Sequence, residues 1–113
     1  MSSLPIIDKW YDFLRWLLDT SNKFPKKIRF TITSRIDNLA LSILENLIQA
    51  RYAQAKTKKS ILQQMNIDLE KMRFLLRLCY DNRYMAKKSY EYACSQLQSI
   101  GKQIGGWLKA VQS

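Results

Sequence analysis

A chain of 113 residues, 47% of them hydrophobic, is long enough for one packed domain, and we expect a single domain over residues 1–113. The chain has no histidine, which removes the commonest general base and metal ligand, and its three glycines and two prolines are too few for a turn-rich all-β fold. Nineteen basic residues against nine acidic ones give a net charge of +10, which favours a polyanionic partner, most often nucleic acid.

The first predicted helix covers about residues 5–20. Its apolar residues recur at steps of three and four: Ile7, Trp10, Leu14 and Leu17. Charged residues interrupt this segment, so no apolar run is long enough to span a bilayer. A membrane-surface role through this aromatic helix is the weakest of our functional hypotheses, because its charge is nearly balanced. Trp16 lies off the apolar stripe, which predicts a contact outside the core.

The second predicted helix covers about residues 26–54. Its opening, residues 28–33, is β-branched and alternating and could by itself form a strand, but it continues without a breaker into a helical pattern. No acidic residue occurs between positions 22 and 36, whereas five basic ones do: Lys23, Lys26, Lys27, Arg29 and Arg35. This segment is therefore a candidate for binding phosphate.

The third predicted helix covers about residues 58–81, with Thr57 as its expected N-cap. Its apolar residues follow a strict heptad spacing: Leu62, Met65, Leu69, Met72, Leu76 and Cys79. Phe74 and Leu78 point about the other way and form a second apolar face, with Arg73 and Arg77 on the flank between the two faces. The second face predicts an interface, and the alternative is a wide core-facing arc.

The fourth predicted helix covers about residues 87–111 and contains all three glycines of the chain: Gly101, Gly105 and Gly106. The Gly101-Lys102 pair is not a phosphate-binding P-loop, because no strand precedes it and no Ser or Thr follows the lysine. The spacing of Gly101 and Gly105 instead predicts close approach of a neighbouring helix. Gly106 and Trp107 have no role in that core face and are expected near a subunit or partner contact.

Four long helices with short connections predict an all-α fold, an antiparallel up-down-up-down four-helix bundle. No acidic pair, nucleophile or glycine-rich loop stands at catalytic or metal-binding spacing, so we expect no enzyme activity, cofactor or metal. Cys79 and Cys94 match no zinc or redox spacing and are expected to be reduced thiols in a cytoplasmic protein.

Several segments together resemble Avd, the accessory variability determinant of diversity-generating retroelements. The likeness covers nearly the whole chain and is carried by the Phe-Pro at 24–25 with Arg-Phe at 29–30 and Arg-Ile at 35–36, by Ala-Arg-Tyr-Ala at 50–53, and by 100-IGKQIGGW-107. The resemblance implies a non-catalytic four-helix bundle that forms a basic pentameric ring. It also implies binding to the retroelement reverse transcriptase and to nucleic acid, and support of mutagenic retrohoming.

On this hypothesis the partners are the reverse transcriptase and template-repeat RNA or its cDNA, with no membrane partner. The candidate binding residues are basic: Lys26, Lys27, Arg29, Arg35, Arg73 and Arg77. The candidate interface residues of a homo-oligomer are Trp16, Phe74, Leu78, Gly106 and Trp107. Each basic residue could instead be a solvated charge or pair within the subunit, as Arg73 could with Glu70. The alternative function is a stand-alone RNA-binding bundle of the type encoded by ribosomal RNA intervening sequences.

Overall fold

The computed structural model describes residues 5–112, which form four α-helices and no strand within that range. The helices are α1 (Pro5–Ser21), α2 (Ser34–Tyr52), α3 (Ala55–Asp81) and α4 (Lys87–Gln112). A 3₁₀ turn (Lys26–Ile28) and a π-helical segment (Arg29–Thr33) lead directly into α2. Both the helical class and the number of long helices agree with the prediction.

The helices run along the length of an elongated molecule of 44 × 26 × 23 Å. At 1.5 Å per residue, the 27 residues of α3 span about 40 Å, nearly the whole long dimension. Each helix packs against the next one in the chain, and α1 also packs against α4, which closes the group. This arrangement is compatible with the predicted four-helix bundle.

The predicted apolar stripes form the core. All four stripe residues of α1 and all six heptad residues of α3 are buried. The Trp10 indole N–H donates a 3.0 Å hydrogen bond to the Ala40 carbonyl, so this large side chain is buried without leaving its polar group unsatisfied. Both cysteines are free thiols, Cys79 buried and Cys94 half-buried, as expected.

The start of the second helix differs from the continuous α-helix predicted over residues 26–54. Pro25 is extended, with ψ 140°, and the chain then enters the 3₁₀ turn and the π-helical segment. β-Branched residues crowd an α-helical turn, and the Thr31 hydroxyl donates to the Ile28 carbonyl at 3.3 Å, which competes with regular backbone pairing. The wider π-turn shifts the buried face by one residue, so that Thr33 is buried and Ile32 only half-buried.

The start of the third helix also differs from the prediction. α3 begins at Ala55, after an extended Gln54 whose side chain makes no capping hydrogen bond. Thr57 therefore lies inside the first turn and is not the N-cap. The sequence from 53 to 57 contains no strong breaker, so the helix extends back until the backbone reverses direction.

Candidate nucleic-acid and polymerase interface

The outer surface of α3 carries a mixed basic and apolar ridge formed by Arg73, Phe74, Arg77 and Leu78. Phe74 is 59% exposed and Leu78 is 42% exposed, so neither belongs to the core of the subunit. This exposure excludes the alternative of a wide core-facing arc. We call these four residues the α3 ridge.

Both arginines of the α3 ridge have acidic partners on their own helix. Arg73 Nη1 lies 2.9 Å from Glu70 Oε1, and Arg77 Nε lies 3.7 Å from Asp81 Oδ2. Exposed pairs of this kind contribute about 0–1 kcal/mol each and exchange readily for other partners. The pairs therefore position the two guanidinium groups and leave them available for an anion.

Arg73 is held more firmly than its neighbour because it also reaches α4. Its Nη2 donates to the Leu97 carbonyl at 3.4 Å, and a Cβ placed on Gly101 would lie 3.3 Å from the same nitrogen. Gly101 thus makes room for the Arg73 guanidinium between the two helices. The predicted close approach of another helix is wrong for Gly105, since nothing lies within 4 Å of a Cβ added there.

A groove of about 840 Å³ between α2 and α3 adjoins the α3 ridge. Phe74, Leu75 and Leu78 supply its apolar part, and Arg35 and Lys71 add positive charge. The structure thus brings Arg35 of α2 together with Phe74 and Leu78 of α3, which are distant in sequence. We call this the α2–α3 groove.

The remaining basic candidates lie where the chain enters α2. Lys26, Lys27 and Arg29 are all exposed. Lys27 Nζ is 5.7 Å from the centroid of the Tyr84 ring, within range of a cation–π interaction. Among the residues described, no cluster of three His, Cys, Asp or Glu side chains could hold a metal ion.

Sequence reasoning missed Phe30, which lies among these basic residues and is 89% exposed. It lines a cleft of about 570 Å³ between the end of α1 and the start of α2, together with Arg29, Thr33 and Asp37. Asn38 lines both this cleft and the α2–α3 groove, so the two are neighbours on the surface. An aromatic residue off the helical stripe, inside an acid-free segment, was the signal that could have identified it.

Two acidic residues, Asp19 and Asp37, line this cleft alongside Arg29. The Ser21 hydroxyl donates to Asp37 Oδ1 at 2.7 Å, which ties the end of α1 to α2. Burial raises the pKa of the Asp37 carboxyl above its ordinary value, and the Ser21 hydrogen bond offsets part of that rise.

The other candidate interface residues lie apart from the basic region. Trp16 is half-buried and packs edge-on against Tyr92 of α4, with ring centroids 4.6 Å apart. Trp107 is half-buried, with Lys58 Nζ 5.9 Å from its ring centroid, and Gly106 beside it is exposed. The structure of one subunit therefore gathers Phe74 and Leu78 with the basic residues, but not these three.

Comparison with known proteins identifies a family. No curated protein and no solved structure matches the chain. A family model described as bAvd-like matches residues 4–111. Because that match spans almost the entire sequence, and agrees with the likeness of its motifs to accessory variability determinants, the chain belongs to the bAvd-like family.

Proposed function

We propose that this protein is a non-enzymatic accessory factor of a diversity-generating retroelement, which binds the reverse transcriptase and its RNA or cDNA in the cytoplasm and supports mutagenic reverse transcription. The family match over residues 4–111 carries the proposal, since bAvd-like proteins are accessory proteins of such elements. Within residues 5–112, no helix is both long and apolar enough to cross a membrane.

The basic residues on adjacent surfaces support the nucleic-acid part of the proposal. Arg29 lines the cleft at the entry to α2, Arg35 lines the α2–α3 groove, and Arg73 and Arg77 lie on the α3 ridge beside that groove. Lysine and arginine that neutralise phosphates release bound counterions, so affinity should fall steeply with added salt. Arginine also pairs with carboxylates, so the same side chains suit an acidic patch on a polymerase.

Assembly into a ring, with five subunits on the basis of the family resemblance, would repeat this surface. Linked copies of a weak site raise the effective concentration of each, so modest contacts become strong in combination. Phe74 and Leu78 are our candidates for subunit contacts, because exposed apolar groups of this size commonly mark interfaces.

The decisive experiment is co-purification of the protein with the reverse transcriptase encoded beside it, with and without RNase. We expect the double variant R73E/R77E to lose the polymerase and RNA while its helical circular dichroism stays unchanged. The matched control is K56E/K59E, at two exposed lysines near the other end of α3, which lowers the net charge by the same amount, from +10 to +6 (two changes of −2 each). Equal retention of partners by both variants would reject the assignment to the α3 ridge.

A further inference from the structure

Phe30 is an exposed aromatic residue at the basic entry to α2. It is the most exposed large hydrophobic residue among those described, at 89%, and it contributes nothing to the core. The π-helical segment Arg29–Thr33 presents it, and such segments are frequent at functional sites. An exposed ring in a basic setting is a platform on which a nucleic-acid base can stack.

The inner part of the adjoining cleft contains hydrogen-bonding groups without partners. Thr33 is 8% exposed, and its hydroxyl has no hydrogen-bond partner among the described residues. Buried polar groups are nearly always satisfied, so this hydroxyl is a group on the cleft-lining residues that can still take a partner.

Asp37 supplies the second polar group. Ser21 holds its Oδ1, whereas Oδ2 has no hydrogen-bond or ion-pair partner among residues 5–112. A carboxylate accepts several hydrogen bonds and donates none, so it favours a ligand edge that carries N–H groups. The Asn38 amide, also on the cleft wall, can either donate or accept.

The charges around the cleft suit a nucleotide. Arg29 is on its wall, and Lys26 and Lys27 are exposed on the preceding turn, so a phosphate on the Arg29 side of a bound base would meet positive charge. Asp19 also lines the cleft and adds a second carboxylate that favours N–H donors over phosphate. Most of the lining side chains are polar, which is unlike the apolar pocket that a protein hot spot requires.

We infer that this cleft binds one unpaired base of a single-stranded nucleic acid, stacked on Phe30, with guanine preferred because its adjacent N1–H and N2–H₂ groups match the Asp37 carboxylate. This inference rests on the proposed nucleic-acid binding and adds a base preference to it. A volume of about 570 Å³ is within the usual range for small-ligand sites, so the cleft has room for one base. Uracil presents carbonyl oxygens on both sides of its single N–H, which the carboxylate repels.

The test is fluorescence anisotropy of the full-length protein with labelled oligouridine of about ten nucleotides, with and without one central guanosine, in RNA and DNA forms. We expect the wild type to prefer the guanosine-containing strand. Phe30→Ala should lower the affinity for both strands about tenfold, since stacking of a base on an aromatic ring contributes roughly 1–3 kcal/mol. Asp37→Asn keeps the shape and an acceptor for Ser21, and it should remove the preference, because the neutral amide no longer repels the uracil carbonyls and no longer accepts both guanine N–H groups.

Tyr52→Ala is the matched control, because Tyr52 is also an exposed aromatic residue beside an arginine but lies at the far end of α2, 75% exposed. It should leave the preference intact. The wild type, Phe30→Ala and Asp37→Asn could all bind the two strands with equal affinity that falls steeply with salt. That result would reject the proposed base site and leave the proposed nucleic-acid binding in place. If the wild type binds no strand, and Phe30→Ala instead loses the polymerase, both the base site and direct nucleic-acid binding fail.

Discussion

Single side chains decide how the basic surface is presented. Arg73 is fixed at three points: by Glu70, by the Leu97 carbonyl, and by the space over Gly101. Arg77 has only the 3.7 Å pair with Asp81. A guanidinium held in place loses less side-chain entropy on binding a partner, so we expect Arg73 to contribute more to affinity than Arg77.

Substitution of each of the three glycines by alanine should change the free energy of unfolding differently. Gly105 and Gly106 have no atom within 4 Å of an added Cβ, so Gly105→Ala and Gly106→Ala should each raise the free energy of unfolding of the isolated subunit by about 1 kcal/mol through helix propensity. Gly101→Ala should raise the free energy of unfolding by less, because the added Cβ would displace the Arg73 guanidinium. Urea denaturation of the three variants measures these differences, and a larger gain at 101 than at 105 would contradict the contact with Arg73.

The two thiols should differ in reactivity. Burial raises the pKa of Cys79 to about 11, so near pH 8 this residue stays protonated and shielded, whereas half-buried Cys94 lines an open surface depression with Arg73 and Phe74. Since the thiolate is the reactive form, Ellman's reagent at pH 8 should titrate one cysteine rapidly and the second only after unfolding. Cys94→Ser should abolish the rapid phase, and loss of that phase in Cys79→Ser instead would reverse the assignment.

At the scale of elements, the entry to α2 departs most from regular structure. The π-helical turn buries Thr33 where a regular α-helix would bury Ile32, and it leaves Phe30 in solvent. Both features lower the stability of the fold, because burial of the unpaired Thr33 hydroxyl and exposure of the Phe30 ring each cost free energy. A costly local arrangement of this kind is expected where function requires it.

This cost leads to a prediction for Thr33→Val. Valine has nearly the same shape and removes the unsatisfied hydroxyl, so it should raise the free energy of unfolding by about 1 kcal/mol. The same change should reduce the preference for guanosine if the hydroxyl contacts a bound base. Thermal denaturation and anisotropy on the same preparation measure the two effects, and Thr31→Val, at an exposed neighbour in the same turn, is the control. A destabilised Thr33→Val would show that the hydroxyl is satisfied in solution.

At the scale of the whole molecule, the exposed apolar surface and the basic surface overlap at the α3 ridge and the α2–α3 groove. Under the proposed function, this one face serves subunit contacts, partner contacts or both. Assembly and polymerase binding can be separated experimentally, because the apolar and the basic side chains of the ridge can be changed independently.

We expect Phe74→Ser/Leu78→Ser to lower the apparent molecular mass in light scattering at micromolar concentration from that of an oligomer to that of a monomer. Loss of two apolar anchors typically weakens an interface by about 2 kcal/mol or more, roughly thirtyfold. Tyr11→Ser/Ile67→Ser, at two other exposed apolar residues, is the control. A wild-type protein that is already monomeric would contradict the proposed ring.

Family membership also predicts a role for Gly106, which is exposed in the single subunit. If a neighbouring subunit packs there, Gly106→Ala should stabilise the subunit while weakening assembly, whereas Gly105→Ala should do only the former. The same scattering experiment distinguishes these outcomes.

The core could be predicted from the sequence because its determinants are local. Steps of three and four place Trp10, Leu14 and Leu17 on one face of α1 whatever lies opposite, and the heptad in α3 does the same for Met65 and Met72. The helix starts were predicted less well, because Thr57 has capping chemistry but the backbone turns earlier, at Gln54.

The helical class, the buried stripes, the free thiols and the family were determined by the sequence alone, since periodicity, composition and motif spacing are read along the chain. Only the tertiary structure decided which distant residues meet: Arg35 with Phe74 in one groove, Gly101 with Arg73 at one crossing, and Phe30 with Thr33 and Asp37 at one cleft. The π-turn is the physical reason for the last of these, because one extra residue in a turn rotates every side chain before it by about 100° relative to the helix that follows.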